Sequence, residues 1–240
     1  MLRILTARAG GRPLDVILAR MGRGTGRQIL IVPEQYSHET ERALCAALAP
    51  ADSARCEVLS FTRLARRVAE TVGGVADQTL DAGGRVLLMY AAVRSVAAHL
   101  TVYRTPSRKP SFLAGLIATV DECKSYGVSP GDLARAGEAL GGGEGDKLRD
   151  IGLIYGAYDA MTTRSAADPR DKLDKLAQGL TESGWAAGKG VWVWGFTDFT
   201  HQEGAVLRAL MAGADCLTVA LTLDEADDDP SGVFAPAKRT

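Results

Sequence analysis

"LTARAGGRPLD" (residues 5–15) leaves an apolar run, turns through two glycines and enters a helical pattern. The apolar run starts at Leu2, and Pro13 suits the first position of a helix, where its missing N–H has no intrahelical partner to lose. A strand passing through a glycine turn into a helix is half of a strand–helix–strand unit, and the unit recurs. "QILIV" (28–32) and "CEVLS" (56–60) are short apolar runs of the buried-strand kind. Ser37 is placed to cap "HETERALCAAL" and Ser60 to cap "FTRLARRVAETV". Strands alternating with helices predict an α/β fold with a parallel sheet and right-handed crossovers.

The pattern changes in the middle. Between about residues 81 and 183 no stretch reads as a strand. "DAGGRVLLMYAAVRSVAAHL" is helical from Asp81, "SFLAGLIATVDECKSYG" ends at Gly127, a natural C-cap, and "SPGDLARAGEAL" starts on Ser129-Pro130. "KLRDIGLIYGAYDAMTTR" puts Leu148, Ile151, Ile154, Tyr155 and Tyr158 on one face, which favours core for both tyrosines. "DPRDKLDKLAQGLTES" reads as a fifth helix and "GGGEG" (141–145) as a loop. Strands return with "GVWVWGF" (190–196) and "CLTVALTL" (216–223), separated by the helix "QEGAVLRALMAG". The layout predicts a split α/β domain, 1–76 with 187–240, carrying an all-helical insertion, 77–186. The polar tail 224–240 after the last strand is expected of a cut chain.

Composition excludes several classes. The 240 residues are 46% hydrophobic and 24% charged with net charge −1, so no global field draws the chain to DNA or a membrane. Charge is uneven, however. Residues 1–72 hold 11 arginines against 7 acids, which allows a local basic face, and residues 215–229 hold 6 acids and no base. The four cysteines (Cys45, Cys56, Cys123, Cys216) form no CxxC pair and have no histidine at ligand spacing, so no metal is expected and a cytoplasmic location fits. Arg3 and Arg8 break the N-terminal apolar run, so no signal peptide is expected, and no run of about 18 apolar residues is present to span a membrane.

Four segments fall at the C-terminal ends of predicted strands, where parallel sheets bind ligands: "ARAGGRP", "VPEQYSHETE", "LSFTRLARRV" and "WGFTDFTHQE". Together they resemble the N-terminal region of the AddB family, the nuclease and Chi-recognition subunits of AddAB helicase–nucleases. The matching residues are Pro33-Glu34-Gln35, Glu41, Ser60-Phe61, Arg63-Leu64-Ala65, Arg67-Val68, Gly73-Gly74, Gly195-Phe196, Phe199-Thr200, Gln202-Glu203 and Thr222-Leu223-Asp224. The resemblance covers essentially the whole chain in order and spacing. It implies the first domain of a superfamily 1 helicase without a motor role, its helical insertion 1B-like, in double-strand-break repair and recombination. It also implies an AddA-type partner that carries the ATPase. The family's nuclease domain, with its magnesium and 4Fe–4S cluster, lies outside these residues, so catalysis is not expected of this chain alone.

A phosphate loop needs a lysine for the outer phosphates and a Ser/Thr hydroxyl for magnesium. Aligned on Arg8-Ala9-Gly10, those places hold Pro13 and Leu14, the first glycine is Ala7, and Arg12 replaces another glycine. Ala9, Gly10, Gly11 and Arg12 are therefore a degenerate phosphate-loop candidate, and the plain alternative is a strand-to-helix turn. Where the family shows an acid before Gly-Phe, this chain has Trp194, so a magnesium-ligating acid is also missing. Both losses argue against ATP hydrolysis.

The nucleic-acid candidates are Gln35, Ser37, Phe61, Arg63, Arg66 and Phe199. Gln can pair with a base edge and Ser can reach a phosphate, though capping serves Ser37 equally well. Phe61 and Phe199 can stack on unstacked bases, and Arg63, Arg66 and Arg67 share a helical face; core packing is the competing reading for Phe61. Arg66 stands where the family often has Trp, which exchanges a stacking platform for a phosphate or guanine contact. His201 replaces a family proline and ranks below Phe199. The leading expectation is a non-catalytic domain contacting single-stranded DNA. A small P-loop NTPase using Arg12 and a scaffold holding the partner helicase are the alternatives.

Overall fold

The computed structural model describes residues 1–8, 10–72, 79–104, 109–165, 168–223 and 237. Its elements in chain order are β1 (Leu2–Ala7), α1 (Pro13–Arg23), β2 (Arg27–Ile31), α2 (Ser37–Ala47), a short α3 (Pro50–Ser53), β3 (Cys56–Leu59) and α4 (Phe61–Val72). Then follow α5 (Ala82–Val96), α6 (Pro110–Tyr126), α7 (Pro130–Leu140), α8 (Gly142–Ser165), α9 (Lys172–Ser183), β4 (Lys189–Val193), α10 (His201–Gly213) and β5 (Cys216–Thr222). The chain divides into two compact units, Met1–Val75 with Leu173–Thr240, and Ala76–Lys172.

The first unit is an α/β layer built on five parallel strands in the order β1-β5-β4-β2-β3. Successive residues of a strand face opposite sides, so a sheet covered on both sides needs continuous apolar runs. The runs supply them. Leu30, Val58, Trp192 and Ala220 meet Ile17, Leu18 and Met21 of α1 and Leu44 of α2. On the other side Ile29, Ile31, Leu59, Val191, Val193 and Val219 meet Leu64 and Val68 of α4 and Val206 and Leu210 of α10. Helix α9, which the sequence pattern assigned to the insertion, buries Leu176 and Leu180 in this same layer.

One polar pair is enclosed in the sheet unit. The Trp192 indole N–H donates to Gln28 Oε1 at 2.8 Å, and Gln28 Nε2 donates to the Gly26 carbonyl at 3.2 Å. Gly190, the register neighbour of Gln28, leaves the room; a Cβ there would collide with the amide. Two caps tie helices to the strand ends. Ser60 Oγ accepts from Arg63 N at 3.2 Å, and Thr200 forms a capping box with Glu203. Ser37 is not a cap. A 3-10 turn, Glu34–Tyr36, carries the chain into α2, so the capping position falls on Tyr36 and Ser37 sits inside the first turn, with its hydroxyl buried and, among the described residues, without a hydrogen-bond partner.

The second unit is helical. Asp81 caps α5 by accepting from Gly84 N at 2.7 Å, Ser129 and Asp132 form a capping box on α7, and Gly127 closes α6 in the left-handed region at φ 69°. Tyr155 and Tyr158 lie in the core with Met89, Val93, Leu116, Val120 and Ile154. The expected loop at 141–145 is shorter than its composition suggests, because α8 already begins at Gly142. Gly141 and Gly142 turn the chain at positive φ, whereas Gly145 is there for contact. A Cβ on Gly137 would lie 2.7 Å from the Gly145 carbonyl, and one on Gly152 3.0 Å from the Pro130 carbonyl, so α7 and α8 touch backbone to backbone. Asp150, also buried, accepts from the N–H groups of Thr101, Val102 and Tyr103 at 2.7 to 3.1 Å and holds that turn.

A buried charge network completes this unit. The Lys124 side chain is 4% exposed and meets Asp171, Asp159 at 3.3 Å and Asp168 at 3.4 Å. Arg85 pairs with Asp121, lies 3.6 Å from Asp168 and donates to the Tyr158 hydroxyl at 3.2 Å. Burial alone would lower the Lys124 pKa, but the bond to Asp171 and the surrounding carboxylates outweigh it and hold the ammonium charged above its ordinary value. Removing one partner of a buried pair leaves an uncompensated charge and costs about 3–5 kcal/mol. Lys124→Met is expected to lower unfolding stability by that order in urea titration. Gly145→Ala drives a methyl into the α7 backbone and is expected to cost about 1–3 kcal/mol by the same assay.

Candidate functional site

The parallel strands deliver the ends of β2, β3, β4 and β5 to one edge of the sheet, and the loops there carry the sequence motifs. The loop after β1 is a closed turn. Gly11 N donates to the Arg8 carbonyl at 2.9 Å and Gly10 takes a φ of 83°. Arg12 lies on the surface and pairs with Asp15 at 3.0 Å in the first turn of α1. Its charge is thus directed along the helix, and Pro13 removes the next donor. Ala9 lies outside the described residues, as do Gly73, Gly74 and Asp224.

The candidates separate by exposure. Gln35 is exposed on the 3-10 turn after β2, and Ser37 beside it is buried. Phe61 is 6% exposed and belongs to the core, so it offers no face for stacking. It instead supports a row of rings. Phe61 and Phe196 have centroids 5.4 Å apart, and Phe196 and Phe199 5.2 Å, the second pair half-buried. Phe196 and Phe199 both keep part of their surface open to a ligand, and Phe199 ends the row.

The basic stripe on α4 is partly neutralised. Arg63 Nη1 donates to Glu41 Oε1 at 2.6 Å, linking α4 to α2. Arg67 lies 3.4 Å from Glu57 and 3.9 Å from Glu70. Arg66 is exposed and has no ion pair among the described residues. On α10, Glu203 accepts from Thr200 N at 2.9 Å and Gln202 donates to Asp174 Oδ2 at 2.7 Å, while His201 is exposed. Glu203 therefore serves as a helix cap.

One feature of the site escaped the sequence pattern. Trp194, legible only as the loss of an acid, packs against Tyr36 with centroids 6.0 Å apart and ring planes at 42°. Gly195 follows at φ 90°, and a Cβ there would lie 3.1 Å from Pro33 Cδ and 3.2 Å from Tyr36 Cδ2. The loops after β2 and β4 are locked together at that point. The signal was Trp194-Gly195 itself, an aromatic next to a residue free to take the left-handed region. Among the described residues no group of three or more His, Cys, Asp or Glu could hold a metal ion, and no helix is long and apolar enough to cross a membrane.

Comparison with known proteins gives the chain its place. The model of the ADDB N-terminal family matches residues 14–240. Proteins named as the B subunit of an ATP-dependent helicase/deoxyribonuclease are similar along its length. That of Moorella thermoacetica is 37% identical over 93% of this chain, and that of Heliobacterium modesticaldum 35% over 100%. That of Caldanaerobacter subterraneus subsp. tengcongensis is 33% identical over 100% of this chain. The chain spans 20% to 21% of the length of these relatives. With the family model matched over residues 14–240 and relatives at 33% to 37% identity along its length, the chain belongs to the AddB N-terminal family.

Proposed function

We propose that this chain forms a non-motor, helicase-like domain that contacts single-stranded DNA within an AddB-type protein. That protein acts with an AddA-type helicase–nuclease partner in the cytoplasm, in repair and recombination of double-strand breaks. The observation that carries this reading is that the segments with Gln35, Arg63, Arg66 and Phe199 follow the ends of β2, β3 and β4, which one parallel sheet turns to the same edge. The four supply three kinds of contact. Arg66 is free for a phosphate, and Arg63 can exchange a half-exposed carboxylate for one. Phe199 presents a ring for an unstacked base, and Gln35 an amide for a base edge. Phe61 and Ser37 leave the contact set because both are buried. The degenerate phosphate loop and the missing acid at Trp194 support binding without ATP hydrolysis. Chi-type sequence reading belongs to this proposal through Gln35, while Arg66, standing where the family often has Trp, exchanges a stacking contact for a phosphate contact that carries no sequence information.

Fluorescence anisotropy of labelled single-stranded DNA tests it on the 240-residue protein. Arg66→Ala is expected to weaken binding similarly across sequences and reduce the slope of affinity against salt by about 1. Phe199→Ala is expected to weaken it about 5- to 150-fold, the range for one stacked base. A folded protein that binds no DNA, or binds it unchanged in both variants, sinks the reading and leaves the scaffold alternative.

A further inference from the structure

We propose that the cleft between α1, α2 and the ends of β4 and β5 receives a flat nucleobase, held against Trp194 and Tyr36. This rests on the reading that the strand-end face takes single-stranded DNA, and adds a site which that reading does not contain. The cleft measures about 510 Å³ and is lined by Leu14, Tyr36, Trp194, Phe196, Thr197 and Thr222 among others. Two sequence departures that look independent meet here. Leu14 stands where a phosphate loop carries its metal-binding hydroxyl and Trp194 where the acid would be, and both side chains line this one cleft. Among the described residues its only charged lining group is Glu39. A carboxylate with no cation repels a phosphate chain, whereas apolar and aromatic walls favour a neutral planar group.

The geometry suits such a group. Tyr36 is 40% exposed, Trp194 is half-buried and packed beside it at 42°, and both line the cleft, so a base can lie against the surfaces the pair turns to the cleft. Thr197 and Thr222 are exposed at the rim, where their hydroxyls can bond a base edge. The aromatic pair is fixed in place by Gly195, whose position admits no Cβ without displacing Pro33 or Tyr36. Phe196 connects the cleft to the row ending at Phe199, so neighbouring bases of one strand can occupy the two places.

The test compares two fluorescein-labelled strands of equal length, one of deoxythymidine and one carrying abasic sites throughout. Both are titrated with the 240-residue protein and with Tyr36→Leu, Trp194→Leu and Trp194→Phe. Backbone charge is identical in both strands, so their affinity ratio reports bases alone. The wild type is expected to prefer the base-bearing strand, both leucine variants to lose about 5- to 150-fold of that preference, and Trp194→Phe, which keeps a ring, to retain most of it. Tyr36→Leu guards against a folding defect at Trp194, because Tyr36 is exposed. Preference unchanged in both leucine variants overturns the cleft site while leaving the strand-end reading intact. Absence of binding to either strand by folded wild type overturns both. Saturable binding of ATP with quenching that disappears in Trp194→Phe reassigns the cleft to a nucleotide and overturns it too.

Discussion

Parallel strands cannot be joined by a tight turn. Each must be followed by a crossover that returns the chain to the same starting edge, and so every strand ends at the opposite edge. In this protein that constraint is met by apolar runs of four to seven residues with helices on both sides. It places segments as distant as residues 33–36, 60–66 and 194–200 side by side. The aromatic row, the Arg63–Glu41 pair and the Tyr36–Trp194 contact all follow from it, since each joins segments that follow different strands. Covering both faces is the other half of the constraint, and it explains why α9 belongs with the sheet although it follows the helical segment in sequence.

Local chemistry was the most legible part. Asp81, Ser129, Thr200 and Gly127 do at helix ends what their side chains or lack of one dictate, because capping depends on neighbours three or four residues away. Ser37 failed by the same logic. A short 3-10 turn, invisible in the pattern, moved the helix start back to Ser37 and the capping position onto Tyr36. In the run 141–145 glycine has both of its uses, freeing the backbone at Gly141 and Gly142 and letting backbones touch at Gly145; only the partner helix tells which applies where. The Lys124 network is the least legible. Its carboxylates come from residues 159, 168 and 171, which look like ordinary surface acids until folding buries Asp168 and gathers the other two around Lys124.

The candidate site was legible in its place and only partly in its members. The strand ends could be located from apolar runs, but exposure could not, since phenylalanine serves core and surface alike. Phe61 turned inward and Phe199 stayed at the rim because one opens a helix under the sheet and the other sits in a loop. The family resemblance framed Trp194 as a missing acid. Packing shows what stands in its stead: a ring braced by Tyr36 and a glycine that no other residue could replace without strain.

The first strand has one further consequence. β1 pairs with β5 along one side and lies at the end of the strand order, and Leu2 and Ile4 are 48% and 54% exposed. Such an edge is a template on which another extended chain can add itself. For anyone handling the isolated polypeptide, the choice of fusion end matters. A tag joined before Met1 prolongs the open strand, whereas lysines placed at Leu2 and Ile4 would give it the charged border that natural sheets use to keep their neighbours away.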